Sequence, residues 1–242
     1  MSRRRFFVDE VRDGQASIGG EDAKHLTRVL RVERGEKYEI SDGAGGVYLA
    51  EISLAHKGEV VFDVLEPLAS KPVLLRITLL PALFKFDHFE WMLEKATELG
   101  VERVIPLIAI RSERGLDQAA SKRIERWRRI AVEASQQSRR DRAPVIDLPL
   151  KVGPACLSAK GLLLDESGDF PILNALPERK RKGVSISLAL GPEGGWTPDE
   201  HDQFHQAGWT SVSLGSQILR AETAAIAGLA ILQAAWQQGA ID

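Results

Sequence analysis

Beyond residue 73 the chain alternates short apolar runs with amphipathic stretches, and that rhythm limits it to a parallel sheet covered by helices on both faces. Residues 74–80 are almost continuously apolar, as a strand buried on both sides must be. Further strands are predicted over 103–108, 161–164, 185–190 and 211–214. Between them run helical periodicities. One covers 87–100, with Asp87 and Glu90 spaced as a capping box and Phe89, Leu93, Ala96 and Leu99 turned inward. A basic one covers 121–138, with Ile124, Trp127, Ala131 and Ala134 on one side. Two more start at Thr197 and near Ala221.

Residues 1–70 follow a different rhythm. Strands are predicted over 5–8, 37–41, 47–53 and 59–64, and a short helix over 20–30. The run Ser41-Asp42-Gly43-Ala44-Gly45-Gly46 is a hairpin signal, because glycines supply the positive φ of a tight turn. This is the pattern of a small β-barrel. Pro67 and Pro72 mark the boundary, so two domains are expected, 1–70 and 73–242.

With 242 residues, 44% hydrophobic and 27% charged, the chain has the composition of a globular protein rather than a disordered or fibrous one. Its one cysteine, Cys156, excludes an internal disulfide and suits a reducing compartment. The start, Arg3-Arg4-Arg5-Phe6-Phe7-Val8 followed by Asp9 and Glu10, lacks the pattern of a secretory signal. The apolar stretch 224–236 is too short to span a bilayer. A cytoplasmic protein without a membrane segment is expected. The net charge of −2 does not suggest a nucleic-acid partner, but its distribution does. From Arg111 to Arg142 ten Arg or Lys face five acids, an excess that suits a phosphate backbone or a solvated helix face.

Ligands of open α/β sheets bind beyond the carboxyl ends of the strands. Three such ends stand out: Leu164-Asp165-Glu166-Ser167-Gly168, Gly191-Pro192-Glu193-Gly194-Gly195, and Leu214-Gly215-Ser216-Gln217-Ile218-Leu219-Arg220. Glycines let backbone amides approach a ligand, although the same residues also make ordinary strand-to-helix turns. Neither the dinucleotide G-x-G-x-x-G nor the P-loop motif is present. Ile218 and Leu219 suit the two faces of a flat ring, or a core; Arg220 suits a phosphate or a carbonyl oxygen. His201 and His205 lie four apart with Asp202 between, the spacing of two metal ligands or of a polar helix face.

The sequence Gly191-Pro192-Glu193-Gly194-Gly195, followed by Leu214-Gly215 and Ile218-Leu219-Arg220-Ala221-Glu222-Thr223-Ala224, resembles the paired signature of the RsmE family. These are the 16S rRNA uridine-N3 methyltransferases of the SPOUT superfamily. The likeness extends to Arg4-Arg5-Phe6-Phe7, His25-Leu26 with Val29-Leu30-Arg31, Lys95-Ala96-Thr97-Glu98-Leu99-Gly100-Val101, and Gln137-Ser138-Arg139 with Pro144. It implies a PUA-like β-barrel followed by an α/β domain with a C-terminal trefoil knot. It also implies a homodimer, S-adenosylmethionine as the methyl donor, and 16S rRNA or the small ribosomal subunit as partner.

On that resemblance, the cofactor is expected against Leu164, Gly191, Glu193, Gly194, Gly195, Leu214, Gly215, Ile218 and Leu219. Arg220 is expected to be catalytic, and Glu222 to orient it or to take the proton. Arg3, Arg4, Arg5, Arg31, Arg139 and Arg140 are expected to meet phosphates, and no metal is expected. Gln217 stands where the family has a basic residue, Gln136 where it has an acid, and Lys85-Phe86-Asp87-His88 replaces a lysine-glycine start. A non-catalytic RNA-binding or assembly factor on the same fold, another RNA target, and a zinc hydrolase built on His201 and His205 are the competing expectations.

Overall fold

The computed structural model describes residues 4–70, 72–166 and 170–241. It divides into two compact units, Met1–Pro72 with Ser135–Ala143, and Val73–Ala134 with Pro144–Asp242. Arg3 lies outside the described residues.

The first unit is a five-stranded sheet built from β1 (Arg5–Phe7), β2 (Gln15–Gly19), β3 (Lys37–Ser41), β4 (Val47–His56) and β5 (Glu59–Pro67), in the order β1-β3-β4-β5-β2. Alternate residues point inward, so Phe6, Ile18, Ile40, Ile52, Val60 and Phe62 form its core. Strand β2 carries only Ala16 and Ile18 as inward residues between polar ones, too weak an alternation to register in the sequence. The expected helix over 20–30 is split. After α1 (Gly20–His25) the backbone widens into a π turn, Leu26–Leu30, closed by Arg31 at a φ of 53°. Its wider loop buries both Leu26 and Val32, which a straight α-helix would not do together.

Residues 135–143 belong with this unit because a buried ion network includes them. The Arg5 guanidinium, 9% exposed, donates to Glu39 at 2.9 and 3.1 Å and to the Arg139 carbonyl at 2.9 Å, and it pairs with Asp141. Arg139 closes the other side of Glu39, and Ser41 donates to the Asp141 carbonyl at 2.6 Å. Burial alone would raise the Glu39 carboxyl, but the bonds from Arg139 and Arg5 outweigh it and hold its pKa below the ordinary value. A carboxylate whose folded pKa is depressed stabilises above its unfolded value, roughly 4.3, and loses that contribution as pH falls through the folded one. Thermal melts should therefore show the protein losing stability steeply below about pH 4, and Glu39→Gln should flatten that dependence.

The second unit begins with β6 (Leu75–Pro81) and α2 (Phe86–Glu98). Next come β7 (Arg103–Val104), β8 (Leu107–Ile108), α3 (Leu116–Ala120), α4 (Ile124–Ser138), β9 (Val145–Ile146), β10 (Leu150–Lys151), α5 (Val152–Ser158) and β11 (Gly161–Leu164). The chain ends with β12 (Lys180–Arg181), β13 (Val184–Leu190), α6 (Pro198–Gln206), β14 (Thr210–Val212), α7 (Ala221–Gly239) and β15 (Ala240–Ile241). Six strands make one parallel sheet in the order β14-β11-β13-β6-β7-β9. The single strand expected over 103–108 is broken by Pro106, which has no N–H to continue a ladder; β8 instead pairs with β10.

The continuous apolar runs follow from burial on both faces. Ile77 and Leu79 of β6, Leu162 and Leu164 of β11, and Leu188 and Leu190 of β13 pack with Phe89, Trp127, Leu229 and Trp236. Leu80, Leu163 and Ala189, one residue out of phase, pack on the other face with Ala155, Cys156, Phe204 and Trp209. The capping box expected at Asp87 does not form. Lys85 is the N-cap without a side-chain bond, and Glu90 is instead held by Arg123 at 2.9 Å and Arg126 at 2.8 Å. Two charge-assisted partners outcompete one backbone amide.

Candidate active site

Three strand ends converge on one cavity of about 840 Å³. Leu164 ends β11 and Asp165 and Glu166 follow it, residues 191–196 follow β13, and residues 213–215 and 217–220 follow β14. Of the residues singled out in the sequence, Leu164, Gly191, Glu193, Gly194, Gly195, Leu214, Gly215, Ile218, Leu219 and Arg220 all line it. Leu190 and Val212, almost wholly buried, form its floor.

The middle turn is held from three sides. Thr197 caps α6 and makes a full capping box with Glu200, as its spacing predicts. Glu200 is buried and also accepts from the Ile110 amide at 2.8 Å, which ties the helix start to the stretch after β8. Next to it, Arg111 donates to the carbonyls of Gly194 at 3.0 Å and Trp196 at 3.1 Å. Sequence reasoning counted Arg111 only among phosphate-facing cations; nothing local in the chain reveals that it clasps this turn. At Gly191 a Cβ would lie 3.2 Å from the Trp196 indole, so a side chain there would press on the ring that closes the wall. The Trp196 ring packs edge-on to Phe204 with centroids 5.0 Å apart, and its buried Nε1 has no hydrogen-bond partner among the described residues.

The last turn is open and apolar. Ile218 is 82% exposed and Leu219 36%, so neither is the core residue that its aliphatic character also allowed. Arg220 is exposed, and its guanidinium makes no bond to the described residues. Glu222 does not line the cavity. It is 6% exposed in the first turn of α7, and its partner is His88, with Nδ1 2.9 Å from its Oε1, not Arg220. Residues two apart do not face each other, which is why Glu222 turns inward while Arg220 stays at the rim.

His201 also lines the cavity and bonds Asp165 at 2.6 Å, while its ring packs 4.7 Å from that of His205. Among the described residues no three His, Cys, Asp or Glu side chains are grouped to hold a metal ion. The expectation of a zinc site on these histidines therefore lacks the third ligand that such a site needs.

The expected phosphate contacts divide. Arg5 departs from that expectation: it is buried in the network with Glu39, Asp141 and the Arg139 carbonyl, which engages four of its five N–H donors. Arg139 is tied to the same Glu39. Arg31 is exposed, and Arg4 and Arg140 are half-buried.

Comparison with known proteins decides the family. A model described as an RNA methyltransferase domain matches residues 70–233, and one described as an RNA methyltransferase PUA domain matches 18–65. The ribosomal RNA small subunit methyltransferase E of Synechocystis sp. is 34% identical, covering 93% of this chain and 75% of that protein. The protein of the same name from Mycobacterium tuberculosis is 31% identical, covering 98% and 95%. The chain belongs to the ribosomal RNA small subunit methyltransferase E family.

Solved structures agree with that family placement. The methyltransferase E of Neisseria gonorrhoeae, solved bound to S-adenosyl methionine, superposes with a TM-score of 0.86 at 28% identity, covering 97% of this chain and 98% of that one. A putative methyltransferase of Legionella pneumophila, solved in complex with the same cofactor, gives 0.87 at 28% identity, covering 97% and 98%. Within the methyltransferase E family this chain has Gln217 at the cavity rim, where its amide lies 3.5 Å from the Ser216 hydroxyl.

Proposed function

We propose that the protein methylates N3 of a uridine in 16S ribosomal RNA, with S-adenosylmethionine as donor. The observation that carries this reading is the convergence of three strand-end turns on one cavity, in a chain of the methyltransferase E family.

The cavity suits the cofactor on its own chemistry. Its volume of about 840 Å³ lies within the roughly 300–1,000 Å³ typical of small-molecule sites. Leu164, Ile218 and Leu219 offer apolar surface to adenine, while Glu166, Glu193 and Asp202 offer negative charge to a cation. The unsatisfied Trp196 indole N–H in the wall is a donor waiting for an acceptor. When bound, the cofactor supplies an electrophilic methyl group on its sulfonium. This chain's residues do the rest: the turns hold the donor, and Arg220 at the rim stabilises negative charge on the uracil oxygens as N3 gives up its proton. Glu222 does not reach the cavity; buried against His88, it anchors the start of α7 next to Arg220, and the proton leaves N3 for solvent at the open rim. The target uridine is unpaired when it reacts, because a paired N3 is inaccessible.

In this reading the first unit grips RNA through Arg4, Arg31 and Arg140, so affinity falls steeply as salt rises. The C-terminal segment is a trefoil knot. Its support is the family resemblance; around it, the stretches after β11 and β14 pair side by side, the Asp165 amide donating to the Val212 carbonyl at 3.0 Å, that of Ile172 to Ser213 at 3.0 Å, and that of Ser213 to Phe170 at 2.8 Å. The protein works as a homodimer in the cytoplasm, where its one cysteine stays reduced. No helix among the described residues is long and apolar enough to cross a membrane.

Calorimetry with S-adenosylhomocysteine, followed by mapping of the modified base in RNA from a deletion strain, tests the proposal. Binding plus a missing N3-methyluridine in the small-subunit RNA is the expected result. Binding without any missing methyl group indicates a non-catalytic factor, and a methyl missing elsewhere indicates another target. Gly215→Ala offers a local test. Its φ of +127° lies where a side chain costs about 1–3 kcal/mol. The turn is exposed, so that strain should appear as roughly tenfold weaker S-adenosylhomocysteine binding with little change in melting temperature.

A further inference from the structure

A second cavity, of about 200 Å³, borders the middle turn and shares Arg111, Pro192, Glu193 and Gly194 with the cofactor cavity. Its other walls are Leu83, Phe84 and Lys85 after β6, and Glu113 after β8. Three stretches beyond strand ends therefore meet here, and they are bonded to one another. Arg111 donates to the Gly194 carbonyl at 3.0 Å, and Ser112 Oγ donates to that of Leu83 at 2.7 Å. The interior is apolar. Leu83, Phe84 and Pro192 are buried, and the Phe84 ring is backed by Phe89 with centroids 5.3 Å apart. The mouth is charged. Lys85 and Glu113 are exposed, border only this cavity of the two, and make no side-chain bond to the described residues. The volume is below the roughly 300–1,000 Å³ of sites that take a whole small molecule, and it suits one flat ring system. The chemistry is close by. His88, one helical turn after Lys85, bonds Glu222, which ties the start of α2 to the start of α7 where Arg220 stands.

We propose that this cavity seats a guanine neighbouring the target uridine in the RNA, with Glu113 and Lys85 reading its edge. The inference rests on the RNA-methylation reading above and adds a subsite to it, outside the cofactor cavity. An apolar slot beside the reacting site takes a base that has left its stack, which is how single-stranded RNA is read by sequence. An ionised carboxylate only accepts, through two oxygens, and an ammonium only donates. Among the four bases guanine alone presents two adjacent donors, N1–H and the exocyclic amine, beside an acceptor, O6. Glu113 takes the two donors and Lys85 takes O6. The target uracil itself belongs at Arg220, which does not border this cavity. Glu193 borders both cavities and stays available to the cofactor's cation.

Small ribosomal subunits reconstituted on transcribed 16S rRNA provide the test, once the methylated base is mapped. A guanine should lie within two nucleotides of it. Glu113→Gln should raise the KM for these subunits roughly tenfold, with kcat, S-adenosylhomocysteine affinity and melting temperature as in the wild type. Replacing that guanine by adenine should raise the wild-type KM by a similar factor and cost Glu113→Gln little more. Lys85→Ala should also raise KM and again add little on the adenine RNA. A target without a neighbouring guanine overturns the proposal, as does a wild-type KM in Glu113→Gln. So does a Glu113→Gln loss that persists in full on the adenine RNA, or one matched by loss of cofactor affinity or of melting temperature. A Lys85→Ala loss equal on both RNAs, with the salt slope reduced by about one, makes Lys85 a phosphate contact and overturns its part in reading the base. If the wild type methylates no RNA at all, the proposed function itself fails, which is a different result.

Discussion

Arg220→Ala should lower methyl transfer at saturating RNA by roughly a hundredfold to a thousandfold while S-adenosylhomocysteine still binds. The size follows from removing one preorganised donor from a site where charge develops. Arg220 stands at the cavity rim, exposed, with no bond to the described residues, so its guanidinium is uncommitted before substrate arrives. The cofactor surfaces, from Leu164 to Leu219, stay in place when it is cut back. Arg220→Lys keeps the charge but loses the planar fork, so it should recover only part of the rate. Single-turnover rates with saturating RNA, read beside calorimetry, check this. Wild-type turnover by Arg220→Ala would remove the residue from the chemistry. Equal loss of cofactor affinity and rate would reassign it to binding.

Arg5→Ala should destabilise the first unit by about 3–5 kcal/mol, the cost of leaving buried partners of an ion network without their cation. Its effect on RNA should be the smaller one. As one of a run of arginines near the amino end, Arg5 has the sequence profile of a phosphate contact, and an exposed arginine there would carry the salt dependence of binding. In the structure it joins Glu39, Asp141 and the Arg139 carbonyl instead. Denaturant unfolding of Arg5→Ala beside Arg31→Ala distinguishes the two roles. The first should shift the unfolding midpoint and leave the salt slope of RNA affinity unchanged. The second should leave the midpoint alone and reduce that slope by about one. The reverse pattern would return Arg5 to the RNA surface.

Much of the second unit was legible along the chain because its signals are local. Strand β11 needs only the run Gly161–Leu164, and α6 needs only Thr197, Pro198 and Glu200. The elements that escaped depend on partners far away in sequence. Glu90 reads as a capping residue until Arg123 and Arg126, more than thirty positions on, take it. The π turn at Leu26–Leu30 follows from the core's demand for Leu26 and Val32 together, and β2 exists because β5 supplies its ladder. Proline was the reverse case. Pro106 was visible, yet its power to cut one strand into two that join different sheets was not.

The amino-acid sequence by itself determined the alternation of strands and helices, the glycine turns at the strand ends, and the family to which they belong. These depend on side-chain periodicity and on positions where only glycine or a capping residue serves. Which charges are structural and which are available was decided by the tertiary structure alone. Folding brings Arg5 to Glu39, the exposed Arg111 to the glycine turn, Glu222 to His88 and His201 to Asp165. A charge leaves water only for a partner, and only the folded chain determines which partner is within reach.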